Sequence, residues 1–310
     1  MKNKPDGLFF NRQFCVRAQN CCDRSKKIAY AIFSRGRSKG RSDMEVTMKN
    51  HEWRTAGTLI AALLLYEIGK LAGALAAQVL LPASGEGGRV LLMQIAGGGL
   101  VYLILRRELG AEKRKPVGKA GIWMLLLSVT SALGLNLLLS LSQITALSGS
   151  FQETAAAQAA VPVWLGVVLY GIAAPFSEEL LFRGIFYRKA REAFGGEVTG
   201  EAEEQNRAAR ARRAAAVVSS LMFGIYHGNL VQGIYAFLIG MLLCLVYERT
   251  GRLLVAALFH GAGNLTVYLL IDVAGIGEYL SFGAAVGLCA LLLAVAALCL
   301  KPCFLCTEKA

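Results

Sequence analysis

VPVWLGVVLYGIAAPFSEELLFRGIFY, residues 161–187, carries only three charges, Glu178, Glu179 and Arg183, along its whole length. A helix this long and this apolar on every face has no reason to exist in water. In a bilayer it has one, because about 20 apolar residues rising about 1.5 Å each cross the roughly 30 Å hydrocarbon core. Working outward, runs of the same kind appear at 55–81, 90–105, 121–141, 214–228, 230–247, 253–271 and 280–300. The chain is 55% hydrophobic, above the roughly 45–50% of soluble domains. These runs predict an all-α polytopic membrane protein of about eight transmembrane helices, with any polar site inside the helical bundle, where backbone and side-chain polar groups find partners.

The net charge of +12 does not contradict this. Of 33 basic residues, 13 lie in residues 1–54, six in 106–119 (Arg106, Arg107, Lys113, Arg114, Lys115, Lys119) and seven in 188–213, while Arg249, Arg252, Lys301 and Lys309 mark later boundaries. The loops between hold only Arg89. Basic residues concentrated in alternate loops follow the positive-inside rule, which predicts a multi-pass protein of the cell membrane with both termini cytoplasmic. The bilayer explains the charge, so no nucleic-acid partner is expected.

Residues 1–47 are basic and polar without a hydrophobic period, the composition of a disordered extension. Met48 begins Met-Lys-Asn as Met1 does and directly precedes the first run, so a mis-called start is the alternative account. Cys15, Cys21, Cys22, Cys303 and Cys306 face a reducing cytosol on this topology, and Cys244, Cys289 and Cys299 lie in spans, so all eight cysteines are expected as free thiols. The segment Ser148–Ala160 is polar and lacks basic residues, which suggests an external amphipathic surface helix. In 201–213, Glu201, Glu203 and Glu204 precede Arg207, Arg210, Arg212 and Arg213, the charge order that complements a helix dipole. The apolar part that follows, 214–226, covers only about 20 Å before His227, Gly228 and Asn229 bend the chain. Irregular backbone at membrane depth survives only where protein or water covers it, so this bend hints at a polar cavity.

Ionisable residues inside spans cost about 2.5–3.5 kcal/mol each, which makes each a candidate for function. Those present are Glu67 and Lys70 in the first span, Glu178, Glu179 and Arg183 in the fourth, His227 after the fifth and His260 in the seventh, with the amide of Asn264 beside it; Asp272 and Glu278 fall in the expected outer loop. Glu179 and Arg183 stand i, i+4 with the acid first, the favourable order for a helix ion pair. Glu178 points about 100° away. The expected division is a structural ion pair, Glu179–Arg183, beside a working acid/base, Glu178. Pro175 removes a helix hydrogen bond nearby and loosens the helix. Phe223 and His227 share one helical face, as do His260 and Asn264. Imidazole serves proton transfer, metal binding or donation to an oxyanion, and the Asn264 amide donates likewise. Glu67 and Lys70, at i, i+3, are expected to play a structural part.

Glu-Glu-x-x-x-Arg at 178–183, Phe-x-x-x-His at 223–227 and His-x-x-x-Asn at 260–264, in this order on successive spans, resemble the CAAX protease and bacteriocin-processing (CPBP, or Abi) family, which includes the Ras-converting endopeptidase. The resemblance covers about residues 160–270. It implies an intramembrane endopeptidase acting on a membrane-associated peptide or protein, with Glu178 as catalytic glutamate, His227 as the water-activating histidine and His260 and Asn264 as the oxyanion-binding pair. On this view residues 48–150 are N-terminal transmembrane helices, 151–272 the catalytic helical core and 273–310 the last transmembrane helix and tail. Two versions of the chemistry stay open. Either water is activated with no cofactor, or Glu178, His227 and His260 hold a divalent metal, zinc being the natural ion for a His₂Glu set. Two other function classes compete: a non-catalytic immunity or scaffold protein of the same fold, and a transporter relaying protons through the Glu/His/Arg cluster.

Overall fold

The computed structural model describes residues 53–81, 85–109, 115–195 and 201–304. The basic extension 1–47, the start at Met48, and Cys15, Cys21, Cys22 and Cys306 lie outside the described residues. The described chain is all-α with no strand. Helix α1 runs Trp53–Leu80, α2 Gly85–Leu105, α3 Ala120–Leu141 and α4 Gly149–Ala159. Helix α5 runs Val163–Gly195, α6 Glu201–Tyr226, α7 Leu230–Thr250, α8 Leu253–Val273 and α9 Phe282–Phe304.

Seven of these, α1, α2, α3, α5, α7, α8 and α9, are long and apolar enough to cross a membrane. The eighth expected run, 214–228, differs for a physical reason. It forms only the C-terminal half of α6, whose N-terminal half bears the Glu and Arg residues of 201–213, so a single helix carries too many charges and too short an apolar stretch to count. The polar segment after α3 is helical as expected, and one position expected in a loop is helical too. Ser148 caps α4 by accepting from the Phe151 amide at 3.3 Å, and α8 extends to Val273, so Asp272 sits on the helix rather than in the outer loop.

The outer surface is apolar. On α1, Ile60, Leu64, Leu71 and Leu75 are exposed while Ala62, Tyr66 and Ala77 are buried. Such a stripe would be a liability in water and is an ordinary surface in hydrocarbon. Lipid gives helices no hydrophobic reason to associate, so close backbone approach at small residues does that work. A Cβ on Gly73 would stand 2.4 Å from the Leu92 carbonyl oxygen of α2, and one on Gly224 of α6 would stand 2.6 Å from that of Gly233 on α7. Between α6 and α7 the chain reverses at Gly228, whose φ of 75° suits glycine, and Asn229 caps α7 by accepting from the Gln232 amide at 2.9 Å. The expected bend at 227–229 is therefore a tight turn between two close-packed helices. The described cysteines Cys244, Cys289, Cys299 and Cys303 are free and buried.

Helix α5 is not uniform. Two π-helical stretches, Leu169–Ala173 and Leu180–Tyr187, flank the α-helical segment Ala174–Glu179. The first lies just ahead of Pro175, which supplies no N–H, and the Ala174 amide reaches back to the Leu169 carbonyl. Widened turns of this kind often occur at functional sites. At this place the Gly171 carbonyl oxygen meets α8 so closely that a Cβ on Gly261 would stand 2.2 Å from it. Gly261→Ala is thus expected to overpack the α5–α8 contact by about 1–3 kcal/mol, whereas Gly287→Ala on α9, with nothing within 4 Å, should be neutral or slightly stabilising. Thermal unfolding of the two purified variants in one detergent checks this; equal unfolding temperatures would contradict it.

Candidate active site

Arg183 and Glu179 are the most deeply buried charges of the described chain, at 0% and 1% side-chain exposure. Arg183 Nη1 donates to Glu179 Oε1 at 2.8 Å, Nη2 donates to the Gly240 carbonyl at 3.0 Å, and the guanidinium stands 4.7 Å from the centroid of the Phe223 ring. Glycine is needed at 240, since a Cβ there would lie 3.1 Å from Nη2. Glu179 Oε1 also accepts from His260 Nδ1 at 3.0 Å. The expected ion pair is therefore present, and it is wider than expected. It joins α5 to α6 through Phe223, to α7 through Gly240 and to α8 through His260.

Glu178, one residue earlier, turns into a cavity of about 540 Å³ whose wall also includes His227, His260 and Asn264. The four expected site residues, drawn from α5, the α6–α7 turn and α8, thus share one cavity. Glu178 Oε2 is 3.9 Å from His260 Nε2, beyond hydrogen-bond range, and its side chain is 12% exposed. His227 Nδ1 lies 2.8 Å from the Phe223 carbonyl. A carbonyl only accepts, so Nδ1 carries the proton and Nε2 of the neutral ring keeps its lone pair. The Phe223 ring meets both imidazoles edge-on, at 4.8 Å from His227 and 5.7 Å from His260.

Several polar residues around the cavity carried no motif. Ser177 Oγ donates to Gln94 Oε1 at 2.9 Å and lies 3.1 Å from the Tyr66 hydroxyl, tying α5 to α2 and α1 beside Glu178. Lys70 meets Glu67 at 3.4 Å, as its spacing suggested, and also the Tyr226 hydroxyl at 2.7 Å; that hydroxyl donates to Glu67. This holds the residue before His227 against α1. Tyr170, Tyr235, Tyr268 and Asp272 line the cavity further out. A polar residue inside an apolar run was the available signal for Gln94 and Ser177.

Among the described residues, no group of three or more His, Cys, Asp or Glu side chains is arranged to hold a metal ion. Glu178, His227 and His260 share the cavity wall without forming such a group, and His260 Nδ1 is already committed to Glu179. The side chains as placed do not fit the expected metal set.

Residues 160–266 match the family model described as type II CAAX prenyl endopeptidase Rce1-like, and the chain carries a domain of that CPBP/Abi family over this stretch. The match spans Glu178, Glu179, Arg183, Phe223, His227, His260 and Asn264 together. No curated protein and no solved structure matches the chain.

Breaking a buried ion pair strands a charge at a cost of about 3–5 kcal/mol. Arg183→Ala is therefore expected to lower the amount of folded protein recovered, and Arg183→Met combined with Glu179→Gln to restore much of it by removing both charges. Fluorescence-detected size-exclusion profiles measure this. Full recovery of Arg183→Ala alone would show that the pair does not hold the fold.

Proposed function

We propose that the chain is an intramembrane endopeptidase that hydrolyses a peptide bond of a membrane-associated protein or peptide. The observation that carries this reading is the unequal state of adjacent carboxylates. Glu179 is held by Arg183 and His260, while Glu178 points into a cavity lined by two imidazoles and an amide. A carboxylate without a hydrogen-bond partner is free to accept a proton, and both imidazoles beside it are oriented through Nδ1.

The steps follow from the atoms available. A water between Glu178 and His227 loses a proton to Glu178, helped by the free lone pair of His227 Nε2, and its oxygen bonds to the peptide carbonyl carbon. The resulting oxyanion accepts hydrogen bonds from the Asn264 amide and from Nε2 of His260, which donates when the ring carries both protons, Nδ1 being engaged by Glu179. Collapse of the tetrahedral species breaks the C–N bond, and the proton taken from water passes to the leaving amine. A metal is not used at any step.

The distribution of Lys and Arg supports cytoplasmic termini; that topology needs an even number of crossings, so the apolar half of α6 is read as crossing beside α7 together with the seven long apolar helices. The outer part of the cavity wall comes from the first turn of α2, from α4 and from the end of α8, which is the end of the bundle with few basic residues. The cavity then opens away from the cytoplasm, and the substrate segment reaches the site from that side. An epitope inserted after Gln152 is expected to be labelled on intact cells, and one after Lys115 only after permeabilisation. The opposite pattern would invert the topology.

Glu178→Gln keeps shape and removes the accepting charge, so cleavage should fall by at least about 10²-fold with folding retained. His260→Ala and Asn264→Ala should each cost about 10²–10³, and joining either to Glu178→Gln should add little. The measurement is turnover of a peptide library by purified protein in lipid nanodiscs, with and without chelator. A folded Glu178→Gln protein with wild-type turnover or full cellular activity would replace the peptidase with a binding protein, and reversible loss of turnover on chelation would replace the metal-free steps.

A further inference from the structure

Helix α8 carries more than the two residues of its motif. His260, Asn264, Tyr268 and Asp272 follow at steps of four, and all four line the cavity. A strict α-helix would rotate such a series off the face by about 40° per step. The π-helical stretch Tyr268–Val273 has more residues per turn and so keeps Asp272 on the stripe. Asp272 is half-buried on a membrane helix, and among the described residues no hydrogen bond or ion pair engages its carboxylate. A carboxylate without a partner at this depth is costly.

Three tyrosines, Tyr170 of α5, Tyr235 of α7 and Tyr268 of α8, line the cavity with it, and each lies within electrostatic reach of Asp272. The rings of Tyr170 and Tyr268 stand 4.9 Å apart, tilted by 54°. Tyr268 is pinned by donation from its hydroxyl to the Val161 carbonyl at 3.1 Å, and by Gly166, where a Cβ would stand 2.2 Å from the ring. Among the described residues no Lys or Arg lines the cavity, and Glu86 of its wall is paired with Arg89. Fixed aromatic faces beside an unpaired carboxylate attract a cation by both the ring quadrupole and the full charge.

We propose that Asp272 with Tyr170, Tyr235 and Tyr268 forms a subsite for a Lys or Arg side chain of the peptide substrate. This rests on the peptidase reading for its meaning, since it assigns substrate class to that cavity. Eight residues of helix separate Asn264 from Asp272, about 12 Å, the reach of three to four extended residues. The basic residue therefore sits three to four positions from the bond cleaved. The subsite acts as a specificity determinant and takes no part in the chemical step.

The test uses full-length protein in nanodiscs and a fluorescein-labelled peptide series in which one position, moved along the chain, is Lys, norleucine or Glu. Binding to the Glu178→Gln protein is measured separately from cleavage by the wild type. The Lys peptide is expected to bind at least about tenfold more tightly than its norleucine counterpart at one register. Asp272→Asn should abolish that ratio, Asp272→Glu should retain it, and Asp272→Lys should shift preference to the Glu peptide, with unfolding temperature reporting that each variant is folded. A Lys/norleucine ratio near one, or one that survives Asp272→Asn, overturns the subsite whether or not cleavage occurs. Asp272-dependent binding with no cleavage by the wild type would uphold the subsite and overturn the peptidase reading instead.

Discussion

A guanidinium buried in an apolar bundle needs partners from the protein, and those that Arg183 finds through its two terminal nitrogens and its ring contact organise the core of this bundle, although Arg183 Nε and Glu179 Oε2 are left without a hydrogen bond among the described residues. The partners of Arg183 come from α5 itself, through Glu179, from α7, through the Gly240 carbonyl, and from α6, through the Phe223 ring, while Glu179 passes the link to His260 on α8. Two of the helices joined in this way, α5 and α8, carry Glu178, His260 and Asn264, and the turn between the other two carries His227. Desolvating an ion pair costs more than its attraction returns unless further hydrogen bonds complete it. Those further bonds are what bring the helices of the candidate site together.

The second constraint is steric. Helices that gain nothing from burying leucine against leucine in lipid approach each other where side chains are absent, and here the tightest contacts include Gly171 on Gly261 and Gly166 on Tyr268 beside the cavity, Gly73 on Leu92 between α1 and α2, and Gly224 on Gly233 between α6 and α7. The π-helical turns of α5 and α8 belong to the same economy of shape. Those of α5 flank the Ala174–Glu179 segment that carries both carboxylates, and the one in α8 keeps its outer residues on the cavity face. Widening a turn alters which way the following side chains point without ending the helix.

These constraints explain which features could be read from residues alone. Spans separated by basic loops, the i, i+4 pairing of Glu179 with Arg183, and the three motifs are local patterns, and local patterns survive in one dimension. The short apolar run 214–226 is the C-terminal half of one long helix that begins in the charged turns of 201–213, a joining that hydropathy alone does not reveal. Asp272 looked like a loop residue because a charge at the edge of an apolar run ordinarily marks the membrane boundary, whereas α8 carries it inward-facing on its last turn. Tyrosines contribute little to either hydropathy or charge, so the aromatic wall of Tyr170, Tyr235 and Tyr268 left no trace in the pattern. The Ser177–Gln94–Tyr66 network joins three helices far apart in the chain, and no spacing rule connects them.

What separates Glu178 from Glu179 is a difference of about 100° on one helix. On one side a carboxylate meets an arginine and an imidazole and is held as a structural anion; on the other it meets a cavity and a histidine nitrogen too far away to bond. His227 is fixed through Nδ1 by a backbone carbonyl and His260 through Nδ1 by that structural anion, so in each ring the nitrogen left over is Nε2. Under the proposed reading this is how the bundle prepares a reaction in a medium hostile to charge. Both imidazoles are oriented by bonds made before substrate arrives, and the carboxylate that must accept a proton is left without a hydrogen bond among the described residues, 3.9 Å from His260 Nε2.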